Sequence, residues 1–171
     1  VLPSTIKAIL IHTADDLNNT GPDFTTGWGR INVTSAVNVI RSRNLTEGKI
    51  SNVWQTDRYN ISIGEGEQYL KITLVWDDEP APVEANQTLI NDLNLVLIAP
   101  NGSEYYPWRL NPYDPNRPAS IGMDHINNVE QVYVSNPIAG KWIIQINASA
   151  IISLQNYSLA SSTKLTFYNN T

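Results

Sequence analysis

Few side chains among the 171 residues are of a type that could carry catalysis or hold a ligand. Cysteine is absent, which removes disulfides, thiolate metal sites and cysteine nucleophiles together. A serine hydrolase needs its nucleophile on a tight turn beside a histidine and an acid. His12 and His125 are the two imidazoles, no Gly-x-Ser-x-Gly elbow occurs, and Gly102-Ser103 sits in an expected hairpin turn. No complete triad is therefore expected within this chain. His12 lies in an apolar helical stretch and reads as a packed or surface histidine; His125 reads as support for a loop. Asp77, Asp78, Glu79, Asp92, Asp114, Asp124 and Glu130 could supply the facing carboxylates of a glycosidase, but nothing in the sequence pairs them.

Calcium suits the carboxylates better. Trp76-Asp77-Asp78-Glu79-Pro80 ends an apolar strand and enters a loop, and Ile90-Asn91-Asp92-Leu93-Asn94 begins the next strand. Ca²⁺ takes oxygens from carboxylates, amides and backbone carbonyls, and a strand-to-loop transition offers all three. Asp77, Asp78, Asn91 and Asp92 are the expected ligands if the two strand ends are neighbours. The alternative is a pair of turn ends whose Asp and Asn side chains serve backbone hydrogen bonds. A third feature is aromatic: Tyr105-Tyr106-Pro107-Trp108-Arg109 through Tyr113, in a long loop that could stack on a sugar, grip a partner or pack onto its own domain.

Asn-x-Ser/Thr sequons begin at Asn18, Asn32, Asn44, Asn60, Asn86, Asn101, Asn147, Asn156 and Asn169. Random placement of the 20 Asn among 26 Ser and Thr would give about three such acceptor motifs. The excess points to a glycosylated, secreted or cell-surface protein. Net charge is −5 with the eleven Lys and Arg scattered, so no nucleic-acid footprint is present. No apolar run approaches the roughly 18 residues that a membrane-crossing helix needs, so no membrane insertion is expected.

The elements that must position these groups change character along the chain. Ile6, Ile9 and Leu10 repeat at helical spacing behind Pro3, and Val33 to Ile40 forms a second short helix that Asn32 can cap. The first helix is apolar nearly all round, as a helix buried against something larger would be, and that larger body is expected to lie outside this chain. From Lys49 the pattern has period two: Tyr59–Ile63, Leu70–Trp76, Leu93–Ile98, Val129–Val134, Trp142–Ile146, Tyr157–Leu159 and Leu165–Phe167. Gly64-Glu65-Gly66, Asn101-Gly102 and Pro137 to Gly140 mark the turns. Strands without intervening helices predict a mainly β fold, an antiparallel β-sandwich or jelly roll of about eight strands preceded by two short helices. The expected division is 1–45 and 49–171, with the boundary between Arg41 and Gly48.

Pro3 to Ala14, then Gly27-Trp28-Gly29-Arg30-Ile31-Asn32 and Ala36-Val37, resembles the last two helices of a subtilisin-like serine protease catalytic domain. Leu74-Val75-Trp76-Asp77-Asp78, Leu89-Ile90-Asn91-Asp92-Leu93-Asn94-Leu95, Ala99-Pro100-Asn101-Gly102, Asn127-Asn128-Val129-Glu130-Gln131-Val132-Tyr133 and Gly140-Lys141-Trp142 resemble the C-terminal jelly-roll domain of one subtilase branch. The family's aspartate, histidine and Gly-Thr-Ser-Met-Ala serine motifs are missing, so no catalytic residue carries over. The resemblance implies a C-terminal fragment of a secreted subtilisin-like endopeptidase, without peptidase activity of its own. Its partner would be the catalytic domain of the same parent protein, which the β-domain braces with the help of calcium. The rival expectation is an extracellular carbohydrate- or protein-binding module that uses the Tyr105 to Tyr113 loop. A purely structural surface-layer or adhesion domain would leave the helices from Pro3 to Val37 unexplained.

Overall fold

In a computed structural model, which describes residues 1–167, two helices lead into strands that make two stacked antiparallel sheets. The helices are α1 (Pro3–Thr13) and α2 (Val33–Ser42). The strands are β1 (Leu45–Ile50), β2 (Asp57–Ile63), β3 (Tyr69–Trp76), β4 (Asp92–Ile98), β5 (Glu104–Tyr105), β6 (Trp108–Arg109), β7 (Ser120–Ile121), β8 (Val129–Ser135), β9 (Gly140–Ala150), β10 (Gln155–Ser161) and β11 (Thr166–Phe167). One sheet has the order β1-β10-β3-β8 and the other β11-β2-β9-β4-β5, while β6 and β7 form a small separate pair. The mainly β sandwich expected from the alternation is the architecture observed.

Side-chain alternation builds the core. Tyr59, Ile61 and Ile63 of β2 face Leu70, Ile72, Leu74 and Trp76 of β3, with Leu93, Leu95, Leu97, Trp142, Ile144, Ile146, Tyr157 and Leu159 filling the space between the sheets. The Asn101-Gly102 turn closes the β4–β5 hairpin: Gly102 has φ +84° and donates its N–H to the Ala99 carbonyl. β1 pairs antiparallel with β10 along its whole length, at the edge of the four-stranded sheet.

One expectation changes here. The body that buries the first helix lies within this chain, not outside it: α1 packs on β3 and β10, with Ala8 against Val75, Val129 and Ala160. That is why Leu74-Val75-Trp76 runs apolar without alternating: Leu74 and Trp76 face the core while Val75 faces the helix. The edge strand β1 and the short β5, β6 and β7 carry no alternating run that could announce them. They form because neighbouring strands offer free backbone groups.

Gly48 sits in β1 where a side chain would ordinarily help a strand. A Cβ there would lie 2.2 Å from the Tyr157 hydroxyl. That hydroxyl donates to the Asp57 carboxylate at 2.7 Å and meets the Tyr59 hydroxyl at 2.7 Å, inside the sandwich. Gly48→Ala should therefore cost about 1–3 kcal/mol by overpacking, contrary to its strand propensity. The check is a lower urea midpoint with an unchanged slope, and an unchanged midpoint would refute the close approach.

Candidate functional site

The helical segment is held to the sandwich by a seam of small polar side chains. Ser4 and Thr5 hydroxyls reach the Ser158 hydroxyl of β10 at 2.9 and 2.8 Å, and Thr5 also donates to Glu47 of β1. The Asp77 carboxylate, just past β3, accepts the Ser4 N–H at 2.9 Å. It thereby satisfies one of the free N–H groups in the first turn of a helix that has no side-chain cap of its own. Further along, His12 Nδ1 meets the Thr73 hydroxyl at 2.9 Å, and Gln131 donates its amide to the same hydroxyl at 3.0 Å. Burial, with help from the Lys71 ammonium on β3, pushes the His12 imidazole down to about 3.

The expected metal ligands are placed by the same region of the fold but serve different neighbours. Asp78 accepts the Ile90 and Asn91 N–H groups at 2.6 and 2.8 Å, clipping the loop back onto the end of β3. Asn91 is fully buried: its amide donates to Gln155 at 2.8 Å, its oxygen accepts from Ile152 N–H at 2.9 Å, and its carbonyl accepts from the Trp76 indole. Asp77 turns to α1, and Asp92 turns to His125, whose Nδ1 lies 2.7 Å from Asp92 Oδ2. Asp78 and Asn91 are thus brought together through backbone hydrogen bonds.

Glu130 is the residue that sequence reading did not single out for this corner. It is fully buried at the inward-facing position of β8, and its Oε2 accepts the Leu95 N–H of β4 at 2.5 Å, tying one sheet to the other. Its Oε1 and the Oδ1 of Asp92 are both buried and have no hydrogen-bond partner among the described residues. Burial raises both carboxyls above the usual range, and nearby Asp124 raises each further; only the hydrogen bond and charge of His125 pull Asp92 back down. The signal was in the sequence: Val132 and Val134 point inward, so period two places Glu130 inward as well. Among the described residues no group of three or more His, Asp or Glu side chains forms a cage that could hold a metal ion by itself.

The aromatic loop divides. Tyr105 packs on Trp142 with ring centroids 5.3 Å apart, and the Trp108 ring lies so close to Gly21 that a Cβ there would come within 2.8 Å of it. Ile11, Trp28 and Trp108 form a wall shared by two adjoining hollows of about 190 and 240 Å³. Tyr113, by contrast, is 95% exposed. The sequons divide too. Asn18, Asn86, Asn101 and Asn156 are exposed, whereas Asn32 caps α2 and donates to Asp15, Asn147 accepts from Asn94, and Asn44 and Asn60 are half-buried. Asn169 lies outside the described residues.

Fold and site together define an antiparallel β-sandwich with a helical segment riding on one sheet. No family model matches the chain. It is 25% identical, over 176 aligned positions covering 94% of this chain, to the serine protease/ABC transporter B family protein tagA of Dictyostelium discoideum. The chain spans about a tenth of that relative's length. Among solved structures it is similar to the CspB protease of Clostridium perfringens, with a TM-score of 0.43 and 12% identity over 75% of this chain and 28% of that one. Among the described residues no helix is long and apolar enough to cross a membrane.

The seam has a pH signature. Unfolded, His12 takes up its proton near pH 6.5; folded, it stays neutral down to about 3. Between those values the unfolded chain binds the extra proton, so this group's stabilisation is complete above pH 6.5 and is lost as pH falls toward 3. The slope is at most about 1.4 kcal/mol per pH unit. His12→Gln keeps a partner for Thr73 and should remove that slope. Chemical denaturation of both proteins from pH 7 to 4 checks it: parallel stability profiles would refute a buried neutral imidazole.

Proposed function

We propose that the chain is the C-terminal part of a secreted subtilisin-like serine endopeptidase. Residues 1–45 complete its catalytic domain, and the sandwich is an accessory domain that braces it. The observation that carries this reading is the two-faced helical segment. One face is locked to the sandwich through Ser4, Thr5, Ala8 and His12. The segment also exposes Ile6, Ile31, Val33, Val37 and Ile40, an apolar set that a self-contained sandwich has no use for. A catalytic domain covering that set would be held to the β-domain by the seam. The relative described as a serine protease supports the same reading. Of the exposed sequons, Asn86, Asn101 and Asn156 have the amides best placed to carry glycans, since the Asn18 amide donates to the Asp23 carboxylate at 3.1 Å.

Calcium belongs to the proposal through Asp92 and Glu130. Two buried carboxyl oxygens without partners among the described residues are costly as anions unless a proton or a cation neutralises them, and a cation can take the place of the proton. A cation there would be held by these two oxygens and would draw its remaining ligands from backbone carbonyls and water, which Ca²⁺ accepts readily. Bound only by the folded chain, it adds about 2.7 kcal/mol at a hundredfold excess over Kd. Its place between β4 and β8 would tie the two sheets at one edge.

Two measurements test these claims separately. The reading frame upstream of Val1 should encode a Gly-Thr-Ser-Met-Ala-like serine motif, and an unrelated domain there would remove the protease reading. Melting of the chain should rise with Ca²⁺ and fall back with chelator. Glu130→Gln should raise the metal-free Tm and abolish the calcium response, while the same response in this variant and the parent chain would remove Glu130 from the site.

A further inference from the structure

Away from the seam, the loop between β6 and β7 encloses an open hollow of about 470 Å³ lined by Arg109, Arg117, Tyr113, Asn111, Ser120 and Ile126, among others. The volume is that of a small-ligand site. What sets it apart is charge: in a chain of net charge −5, two guanidinium groups line one hollow with no carboxylate among its lining residues. Among the described residues neither side chain takes part in an ion pair or a side-chain hydrogen bond. The support beneath them is firm. Arg109 and Ser120 are paired across the β6–β7 ladder, and the Arg109 guanidinium lies over Gly122, where even a Cβ would be in ordinary contact with it at 3.6 Å. Asn111 accepts the Tyr113 N–H through its side chain, Asp114 N–H bonds back to the Asn111 carbonyl, and Arg117 N–H to the Asp114 carbonyl. These turns carry Tyr113, with its ring in water, and Arg117 on the same loop.

We propose that this hollow binds an anionic saccharide. Arg109 and Arg117 would take its acid group, since a guanidinium offers paired N–H donors that match two oxygens of a carboxylate or sulfate. Tyr113 offers a flat face to the apolar side of a sugar ring, and Asn111 and Ser120 offer an amide and a hydroxyl to its hydroxyls. A compact hollow floored by a two-strand pair suits a ring of this size better than an extended acidic peptide.

Isothermal titration of the full chain tests the site with four probes: tetragalacturonate, a chondroitin sulfate tetrasaccharide, neutral maltotetraose and a tetraglutamate peptide. Binding of an acidic sugar is expected, weaker at high salt, and the first two probes distinguish carboxylate from sulfate. Arg109→Ala with Arg117→Ala should weaken it at least tenfold and Tyr113→Ala several-fold, with unchanged melting because all three side chains are exposed. Equal binding of maltotetraose would overturn the role of the acid group. Tetraglutamate binding as tightly as the acidic sugars, and insensitive to Tyr113→Ala, would overturn the saccharide. No binding by either acidic sugar would overturn the site itself.

Discussion

The docking of α1 onto the outer face of the four-stranded sheet is the contact on which the remaining structure depends. That face would ordinarily be wet, and its strands would then alternate polar with apolar. Here Val75, Val129 and Ala160 are covered by Ala8, and the hydroxyls of Thr73 and Ser158 are covered by His12, Ser4 and Thr5. Small side chains let helix and sheet come close, and the close approach excludes water from the hydroxyls, so each must find a partner across the seam. His12 is the clearest consequence: the burial that earns its hydrogen bond to Thr73 also keeps it neutral. Helical segment and sandwich are therefore one packed unit, whatever else the segment touches.

Carboxylates do different work at the two ends of β3 and β4. Asp77 and Asp78 are spent on backbone N–H groups, one at the start of α1 and one in the loop before β4. Each removes an unsatisfied donor and fixes a chain segment. Asp92 and Glu130 are less fully satisfied, each left with a buried oxygen that no donor among the described residues reaches. A fold carries such oxygens at a cost, and the calcium proposal rests on that contrast. The hollow lined by Arg109 and Arg117 is the converse case: two positive groups with no acid among its lining residues, on the surface and not in the core.

Much of this was legible in the residues. Alternation in Tyr59–Ile63, Leu70–Trp76 and Trp142–Ile146 gave both the strands and their inward faces, because a sheet with one buried side leaves a period of two in the sequence. Asn101-Gly102 marked its hairpin, since few other pairs accept the backbone angles of a tight turn. Asn32 marked the start of α2 through its capping oxygen. The expectation for the first helix failed in part: an apolar stretch shows that a surface must be covered but not by what. The spacing of Glu130 from Val132 and Val134 already turned it inward, yet the inference needs the strand's facing to be known first.

What the sequence by itself determined is therefore local and periodic: the two helices, the main strands, their core-facing side chains and the turns between them. Each follows from interactions spanning a few residues or one repeat of a pattern. What only the tertiary structure decided is which distant groups meet. The Asp77–Ser4, His12–Thr73, Tyr157–Asp57 and Glu130–Leu95 contacts join residues 35 to 100 positions apart. No local propensity selects such partners. They are set by strand order and by the side of the sheet on which the helix lands, so the seam, the orphaned carboxylates and the arginine-lined hollow exist only once the chain has closed around its core.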